Sequence, residues 1–171
     1  MSIVTKYSGI SSYYFNNIID NIIKIGDLKN SKKIILDFGC GEKKLSTKLT
    51  NTKILNYDIN PHYSDFNSFE NLKFDLVIIN HVLMYMSNVE IEELFNRFKK
   101  INPSCEFIIG IGKQNFLSRI AKNITFNFNA HKFSKSTYED QIQIIQKKMN
   151  VINSIQNIYF MTDIFYLKFV N

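Results

Sequence analysis

Two acidic residues and a pair of glycines form the part of the sequence best suited to binding a charged ligand. Asp37 closes an apolar run and precedes the loop Gly39-Cys40-Gly41, and Asp58 closes a second apolar stretch. A carboxylate accepts charge-assisted hydrogen bonds, and a glycine lets a ligand approach the backbone where a side chain would exclude it. Asp58 follows Gly41 by 17 residues, about the offset at which a doubly wound fold places a carboxylate on a ribose diol. The pattern predicts a nucleotide-type site.

The elements around these residues are those of a parallel sheet. The apolar stretches at about 33–38 and 53–58 are predicted strands, and a helix is predicted at about 43–50. A continuous apolar run is typical of a strand that is buried on both faces. A strand, a glycine turn and a helix in this order build a site at the carboxyl edge of a parallel sheet.

Three successive motifs resemble those of the class I S-adenosylmethionine-dependent methyltransferases. They are Asp-Phe-Gly-Cys-Gly at 37–41, Tyr-Asp-Ile-Asn at 57–60 and Phe-Asp-Leu-Val-Ile-Ile-Asn at 74–80, and the resemblance covers roughly residues 30 to 171. A dehydrogenase would be expected to show Gly-x-Gly-x-x-Gly, but Lys44 stands three residues after Gly41, which argues against NAD. The third glycine of the family pattern is also replaced, by Lys43.

The resemblance implies an α/β, Rossmann-like, doubly wound and mostly parallel sheet with a C-terminal antiparallel hairpin, and S-adenosylmethionine as the cofactor. The Asp37 loop would hold the methionine and ribose parts, and Asp58 both ribose hydroxyls, unless Asp58 only forms a turn before Asn-Pro. Ile59 would pack on the adenine and Asp65 would face its amino group. The predicted cofactor-binding residues are Asp37, Phe38, Gly39, Cys40, Gly41, Asp58, Ile59, Asp65 and Asn80.

The connection between the second and third motifs is too short for the full fold. Asp58 and Asp75 are 17 residues apart, and a parallel crossover takes about a dozen residues or more for the connection alone. We therefore predict a truncated third-strand region, in which 61–73 is a loop with at most a short edge strand near 64–66.

The other apolar patterns predict a single domain over 1–171, with a helical cap at 1–30 and a lid-like loop at 113–135. The predicted helices are 12–29, 88–101 and 137–149, the last opened by Ser134 or Ser136, and a short helix is predicted near 116–123. The predicted strands are 74–80, 106–111, 151–160 and 165–170.

The residues that could act on a methyl acceptor are less clearly marked. Methyl transfer needs a general base only when the nucleophile keeps a proton. His131, between a loop and a helix, is the best-placed candidate, followed by His81 and Tyr85. Lysines that could hold an anionic acceptor, or be solvated charges only, are Lys43, Lys44 and Lys113. Tyrosines that could touch the cofactor, or only pack at the surface, are Tyr7, Tyr13 and Tyr14.

Composition limits the class of protein. The 171 residues are 45% hydrophobic, and the formal net charge is +6. This charge indicates either a nucleic-acid partner or, as we favour, a bias toward Asn, Lys and Ile, since the lysines are scattered. Cys40 and Cys105 lack metal-ligand spacing, and no run reaches about 18 apolar residues, so we expect no metal, no membrane span and a cytoplasmic protein with reduced thiols.

Three functions follow as expectations. The first is methyl transfer to a small-molecule or metabolite acceptor. The alternatives are a non-catalytic cofactor-binding or partner subunit with the same fold, suggested by the short 58–75 connection, and an RNA methyltransferase, suggested by the charge. No Asn-Pro-Pro-Tyr-like motif for attack on a base amine follows the strand at 74–80. The acceptor and the oligomeric state are left open.

Overall fold

The computed structural model describes residues 10–113 and 134–170. A six-stranded sheet with the order β2-β1-β3-β4-β6-β5 forms its centre. The first four strands in this order are parallel, whereas β6 runs antiparallel to β4 and β5 antiparallel to β6. The predicted Rossmann-like sheet with a C-terminal antiparallel hairpin is confirmed. The elements are α1 (Ile10–Ile25), β1 (Ile35–Phe38), α2 (Lys44–Lys48), β2 (Ile54–Tyr57), β3 (Leu76–Asn80), a 3-10 turn (Leu83–Tyr85), α3 (Asn88–Ile101), β4 (Glu106–Gly112), α4 (Tyr138–Lys148), β5 (Met149–Ile158) and β6 (Thr162–Phe169).

Helices cover both faces of the sheet. On one face α1 and α2 pack against alternate strand residues such as Ile35 and Ile78. On the other face α3 and α4 pack against the intervening residues, such as Leu36 and Val77. This alternation follows from the two-residue period of a strand, and it explains why the central strands carry apolar residues on both faces.

The third-strand region is truncated as predicted. Residues 58–75 contain no strand, so β2 is the last strand on its side of the sheet, and the proposed edge strand near 64–66 is wrong. Ser64 and Asp65 instead use side-chain and backbone hydrogen bonds within the loop and to Asn56. The loop still contributes to the core, because Phe69 is fully buried between Phe38 and Phe98.

Helix boundaries follow their caps. Ser87 and Glu90 form a capping box at the start of α3, whose buried residues are Ile91, Leu94, Phe95 and Phe98. Thr137 and Asp140 form the equivalent box on α4, so the predicted caps Ser134 and Ser136 are wrong. Ser136 is instead buried, and its hydroxyl donates to the carbonyl of Leu83 at 3.1 Å.

Two predicted segments end earlier than expected. Helix α1 ends at Ile25 because Gly26 and then Asp27, in a left-handed conformation (φ 44°), reverse the chain. The hairpin turns at Tyr159 and Phe160, not at 161–164, so β6 starts at Thr162. Within residues 10–113 and 134–170, no helix combines the length and the apolar character needed to cross a bilayer.

Candidate functional site

The two glycines after β1 have different surroundings. Gly39 (φ 79°) and Gly41 (φ 49°) both adopt left-handed conformations. A Cβ on Gly39 would lie 2.3 Å from Cγ2 of Val82, so this glycine allows close packing of the loop on the segment after β3. A Cβ on Gly41 would meet no atom within 4 Å. The backbone at Gly41 therefore borders open space that a ligand can enter.

Asp37 is a buried carboxylate that the chain does not neutralise. Its side chain is 7% exposed, and among the described residues no hydrogen-bond donor contacts it. Burial, and then the charge of Asp58, raise the pKa of Asp37 to about 7. A buried charge is costly unless it is paired, so this position favours a cationic ligand group such as an ammonium.

Backbone N–H groups of two loops, one after β1 and one after β2, hold the side chain of Asp58. Its Oδ2 accepts from the Gly41 N–H at 3.0 Å, and its Oδ1 accepts from the Asn60 N–H at 2.8 Å. Each oxygen keeps a lone pair for a second donor, such as a sugar hydroxyl. The next side chain, Ile59, is 93% exposed and offers an apolar surface beside the carboxylate.

Asp65 is already engaged by two side chains. Lys43 Nζ lies 2.5 Å from its Oδ1, and Asn56 Nδ2 donates to its Oδ2 at 2.8 Å. The hydrogen bond from Lys43, followed by that from Asn56, lowers the pKa of Asp65. Its predicted contact with an adenine amino group stays a prediction. Lys43 occupies the third glycine position in a left-handed conformation (φ 56°), which explains why the family pattern has glycine there.

The other two loop residues contribute differently. The ring of Phe38 lies in the core against Tyr57, at a centroid distance of 5.3 Å, so only its backbone can belong to the site. Burial, and then the charge of Asp37, raise the pKa of Cys40 to about 12. Its thiol donates to the carbonyl of Tyr63 at 3.4 Å. Cys40 is therefore a loop-filling thiol and not a nucleophile.

Asn80 and His81 close the site at the carboxyl end of β3. Asn80 Oδ1 is buried without a hydrogen-bond partner, and a Cβ on Gly110 would lie 2.5 Å from it. His81 has a left-handed conformation (φ 57°), and its backbone N–H donates to the Gly110 carbonyl at 2.9 Å. Its Nε2 lies 3.0 Å from Oγ1 of Thr162 at the start of β6. A non-glycine residue held in this conformation is typical of a functional site.

Sequence analysis missed an ionic cluster at the same end of the sheet. Asp163 is 2% exposed, and Lys113 Nζ lies 2.9 Å from its Oδ1. The Tyr138 hydroxyl donates to its Oδ2 at 2.6 Å. The available signal was an acidic residue inside an otherwise apolar strand. Because Lys113 is ion-paired with Asp163, it is a weaker candidate for holding an anionic acceptor.

The remaining predicted residues are distributed as follows. His131, Tyr7 and almost all of the lid-like loop lie outside the described residues. Lys44 Nζ lies 3.8 Å from Oε2 of Glu42. Tyr85 is the last residue of the 3-10 turn.

Comparison with known proteins identifies the family. A family model described as a methyltransferase domain matches residues 10–109. A search of curated protein sequences gave no significant match. Among solved structures, magnesium protoporphyrin IX methyltransferase (ChlM) from Synechocystis PCC 6803 is 14% identical over 96% of this chain and 89% of that one, with a TM-score of 0.64.

Two further structures share the fold. N-methyltransferase NodS from Bradyrhizobium japonicum WM9 is 12% identical over 92% of this chain and 88% of that one, with a TM-score of 0.65. Small RNA methyltransferase HEN1 is 14% identical over 100% of this chain but only 27% of that one, with a TM-score of 0.68. Identities this low establish a shared fold and nothing more.

Proposed function

The chain belongs to the family of methyltransferase domains, and from this premise we propose that it methylates a small-molecule or metabolite acceptor. It is an enzyme that uses S-adenosylmethionine as the methyl donor. The observation that carries the assignment of its site is the buried Asp37 carboxylate, which has no counter-charge among the described residues and lies just before the glycine loop.

The residues around the glycine loop fit the cofactor. Asp37 would pair with the ammonium of the methionine part, where the buried charge would be neutralised. Gly41 leaves its backbone open to the ligand, and Asp58 would accept hydrogen bonds from the ribose hydroxyls. Ile59, being exposed, would cover the adenine. Asn80 Oδ1, buried and without a partner, provides one further acceptor at the carboxyl end of β3.

S-adenosylmethionine supplies a methyl group that its sulfonium sulfur makes electrophilic. The main task of the protein is then to hold the acceptor atom in line with that methyl group, since positioning supplies much of the rate. A base is needed only for an acceptor that keeps a proton. We propose His131 for this role, on its position in the sequence, and His81 as the candidate among the described residues.

Local charge pairing supports a small acceptor over RNA. The net charge of +6 would suit a phosphate backbone, but many of the described lysines have acidic partners. The lysine ion pairs among the described residues are Lys33–Glu106, Lys43–Asp65, Lys44–Glu42, Lys48–Asp20, Lys113–Asp163 and Lys135–Glu90. ChlM and NodS, whose fold this chain shares, are named as a porphyrin methyltransferase and an N-methyltransferase.

Isothermal titration with S-adenosylmethionine and S-adenosylhomocysteine tests the site. We expect both to bind, and Asp58→Ala to weaken each by about 1.5–3 kcal/mol through lost charge-assisted hydrogen bonds. Asp20→Ala is the matched control, because it removes a surface carboxylate that pairs with Lys48 away from the glycine loop. No binding heat at millimolar cofactor would reject the proposal, while equal affinity in Asp58→Ala would reject only the role of Asp58.

A further inference from the structure

A continuous series of rings leads from the end of β3 to the protein surface. Phe15 lies edge-on to His81 at 5.5 Å between ring centroids, and Tyr14 lies edge-on to Phe15 at 5.1 Å. Tyr159 follows, at 6.0 Å from Tyr14 and 6.5 Å from Tyr13. We call these five rings the aromatic wall. Its outer members are open to solvent, since Tyr13 is 67% and Tyr159 44% exposed.

The wall adjoins the proposed cofactor site. His81 is followed by Val82, whose side chain packs on Gly39 of the glycine loop. The turn that carries Tyr159 lies beyond the carboxyl end of β4, because the Lys113 N–H donates to the Met161 carbonyl at 2.7 Å. In an open parallel sheet, ligands bind at this end of the strands.

The backbone of the turn that carries Tyr159 is strained. Tyr159 (φ 49°) and Phe160 (φ 58°) are the two central residues of the β5–β6 turn, and both are left-handed. Two-residue turns with positive φ at both positions strongly prefer Asn-Gly, because bulky side chains are strained there. Phe160 is nevertheless 65% exposed, so burial does not offset the strain. Strain of this kind concentrates at ligand-binding sites.

Hydroxyl contacts fix the wall without adding charge to it. The Thr162 hydroxyl bonds both the Tyr14 hydroxyl and Nε2 of His81, which joins α1, β3 and β6. A hydrogen bond with Tyr13 is the main cause that raises the pKa of Tyr159. Neutral rings with a few hydroxyl groups suit a flat, uncharged surface.

We propose that the aromatic wall binds the methyl acceptor, and that this acceptor is a small molecule with a flat, unsaturated ring system. The ring would stack along Tyr13, Tyr14 and Tyr159, with its reactive atom toward His81 and the glycine loop. This inference rests on the proposed function, because it places the acceptor beside the proposed cofactor site.

The test uses a planar probe and its saturated counterpart. 2-Naphthol and decahydro-2-naphthol share a carbon skeleton and a hydroxyl group, but only the first is flat. We expect the protein saturated with S-adenosylhomocysteine to bind 2-naphthol at least about tenfold more tightly than the saturated alcohol, measured by titration calorimetry. Equal affinity for the two probes, or no binding of either at millimolar concentration, would overturn the proposal.

The matched variants replace the strained turn. Tyr159→Asn with Phe160→Gly supplies the preferred turn pair and removes both exposed rings. We expect about tenfold weaker binding of 2-naphthol, unchanged S-adenosylhomocysteine affinity and a melting temperature that is equal or higher. Rings that serve only packing would instead give a lower melting temperature and unchanged probe binding. Tyr13→Ser is a second variant that leaves the turn intact and should also weaken the probe.

Two controls separate the remaining outcomes. Val151→Ala with Ile152→Ala removes exposed apolar side chains of β5 and should leave 2-naphthol binding unchanged. If S-adenosylhomocysteine does not bind but the free protein binds 2-naphthol, the proposed function fails and the aromatic wall remains a ring-binding site. A dimer in sedimentation velocity that the turn variant dissociates would show that a second copy covers the wall, and would overturn the acceptor assignment.

Discussion

Asp37 and Asp163 are both buried carboxylates at the carboxyl end of the parallel strands, but their surroundings are opposite. Asp163 has the Lys113 ammonium at 2.9 Å and the Tyr138 hydroxyl at 2.6 Å. Asp37 has no such donor among the described residues, and the charge of another carboxylate, Asp58, raises its pKa further. Because a buried charge needs a partner, the described residues supply that partner at Asp163, whereas at Asp37 we propose that a ligand supplies it.

The largest effect on stability is expected at Asp163, whose ion pair with Lys113 is complete. Asp163→Ala leaves Lys113 and the Tyr138 hydroxyl without their shared partner, and we expect the free energy of unfolding to fall by about 3 kcal/mol in urea titrations. The double variant Asp163→Ala with Lys113→Met should lose less, because it removes both charges of the ion pair. A loss below about 1 kcal/mol in the single variant would show that Lys113 reaches water freely, and would remove the contrast with Asp37.

At Asp37 we expect the opposite result: replacing the carboxylate should stabilise the protein. Asp37→Asn removes a charge whose pKa is raised from 3.8 to about 7, so the protein without cofactor should gain about 2 kcal/mol of stability at pH 8. The full pKa shift of Asp37 would correspond to a gain of about 4 kcal/mol, but burying the amide of Asn costs part of that gain. Cofactor affinity should fall about 10- to 100-fold in the same variant. A variant that is destabilised at pH 8 would mean that Asp37 is already paired.

The smallest expected effect is the pH dependence of cofactor affinity that the ionisation of Asp37 causes. Its pKa in the folded protein, about 7, lies above its ordinary value of 3.8, so ionisation opposes folding increasingly from about pH 4 to 7, and the penalty is complete above pH 7. A cationic ligand needs the ionised form. Cofactor affinity should therefore be about tenfold lower at pH 6 than at pH 8, and binding at pH 6 should release a proton.

Calorimetry in two buffers with different ionisation enthalpies measures how many protons are released when the cofactor binds. The control is Asp37→Asn, in which the pH dependence should be absent. A wild-type affinity that stays constant from pH 6 to 8 would contradict the assignment of the titrating group to Asp37.

Features that depend on local sequence could be predicted. The apolar stripe of α3 has a regular helical period, and its buried residues are those expected from that period. The missing third strand followed from chain length alone, since 17 residues cannot hold a helix and a strand. Asp37 and Asp58 could be selected as candidates because each lies at the carboxyl end of a strand next to a loop, and their roles stay predictions.

Features that depend on distant residues could not be predicted. Lys113, Tyr138 and Asp163 come from three segments and meet only because β6 runs antiparallel beside β4. The turn at Tyr159 and Phe160 carries none of the usual turn residues, so the hydrophobic pattern placed it later in the chain. The unpaired state of Asp37 likewise depends on which groups surround it in the folded protein.

The short β2–β3 connection also changes the edge of the sheet. Without a third strand, β2 is an open sheet edge, which could template pairing with another chain. It spans only Ile54–Tyr57, and the Asp65 N–H donates to the Asn56 carbonyl at 2.9 Å, which occupies an outward-facing acceptor of that edge. The Lys43–Asp65 ion pair adds charge at the same place. A loop too short to form a strand thus occupies part of the sheet edge that it leaves behind.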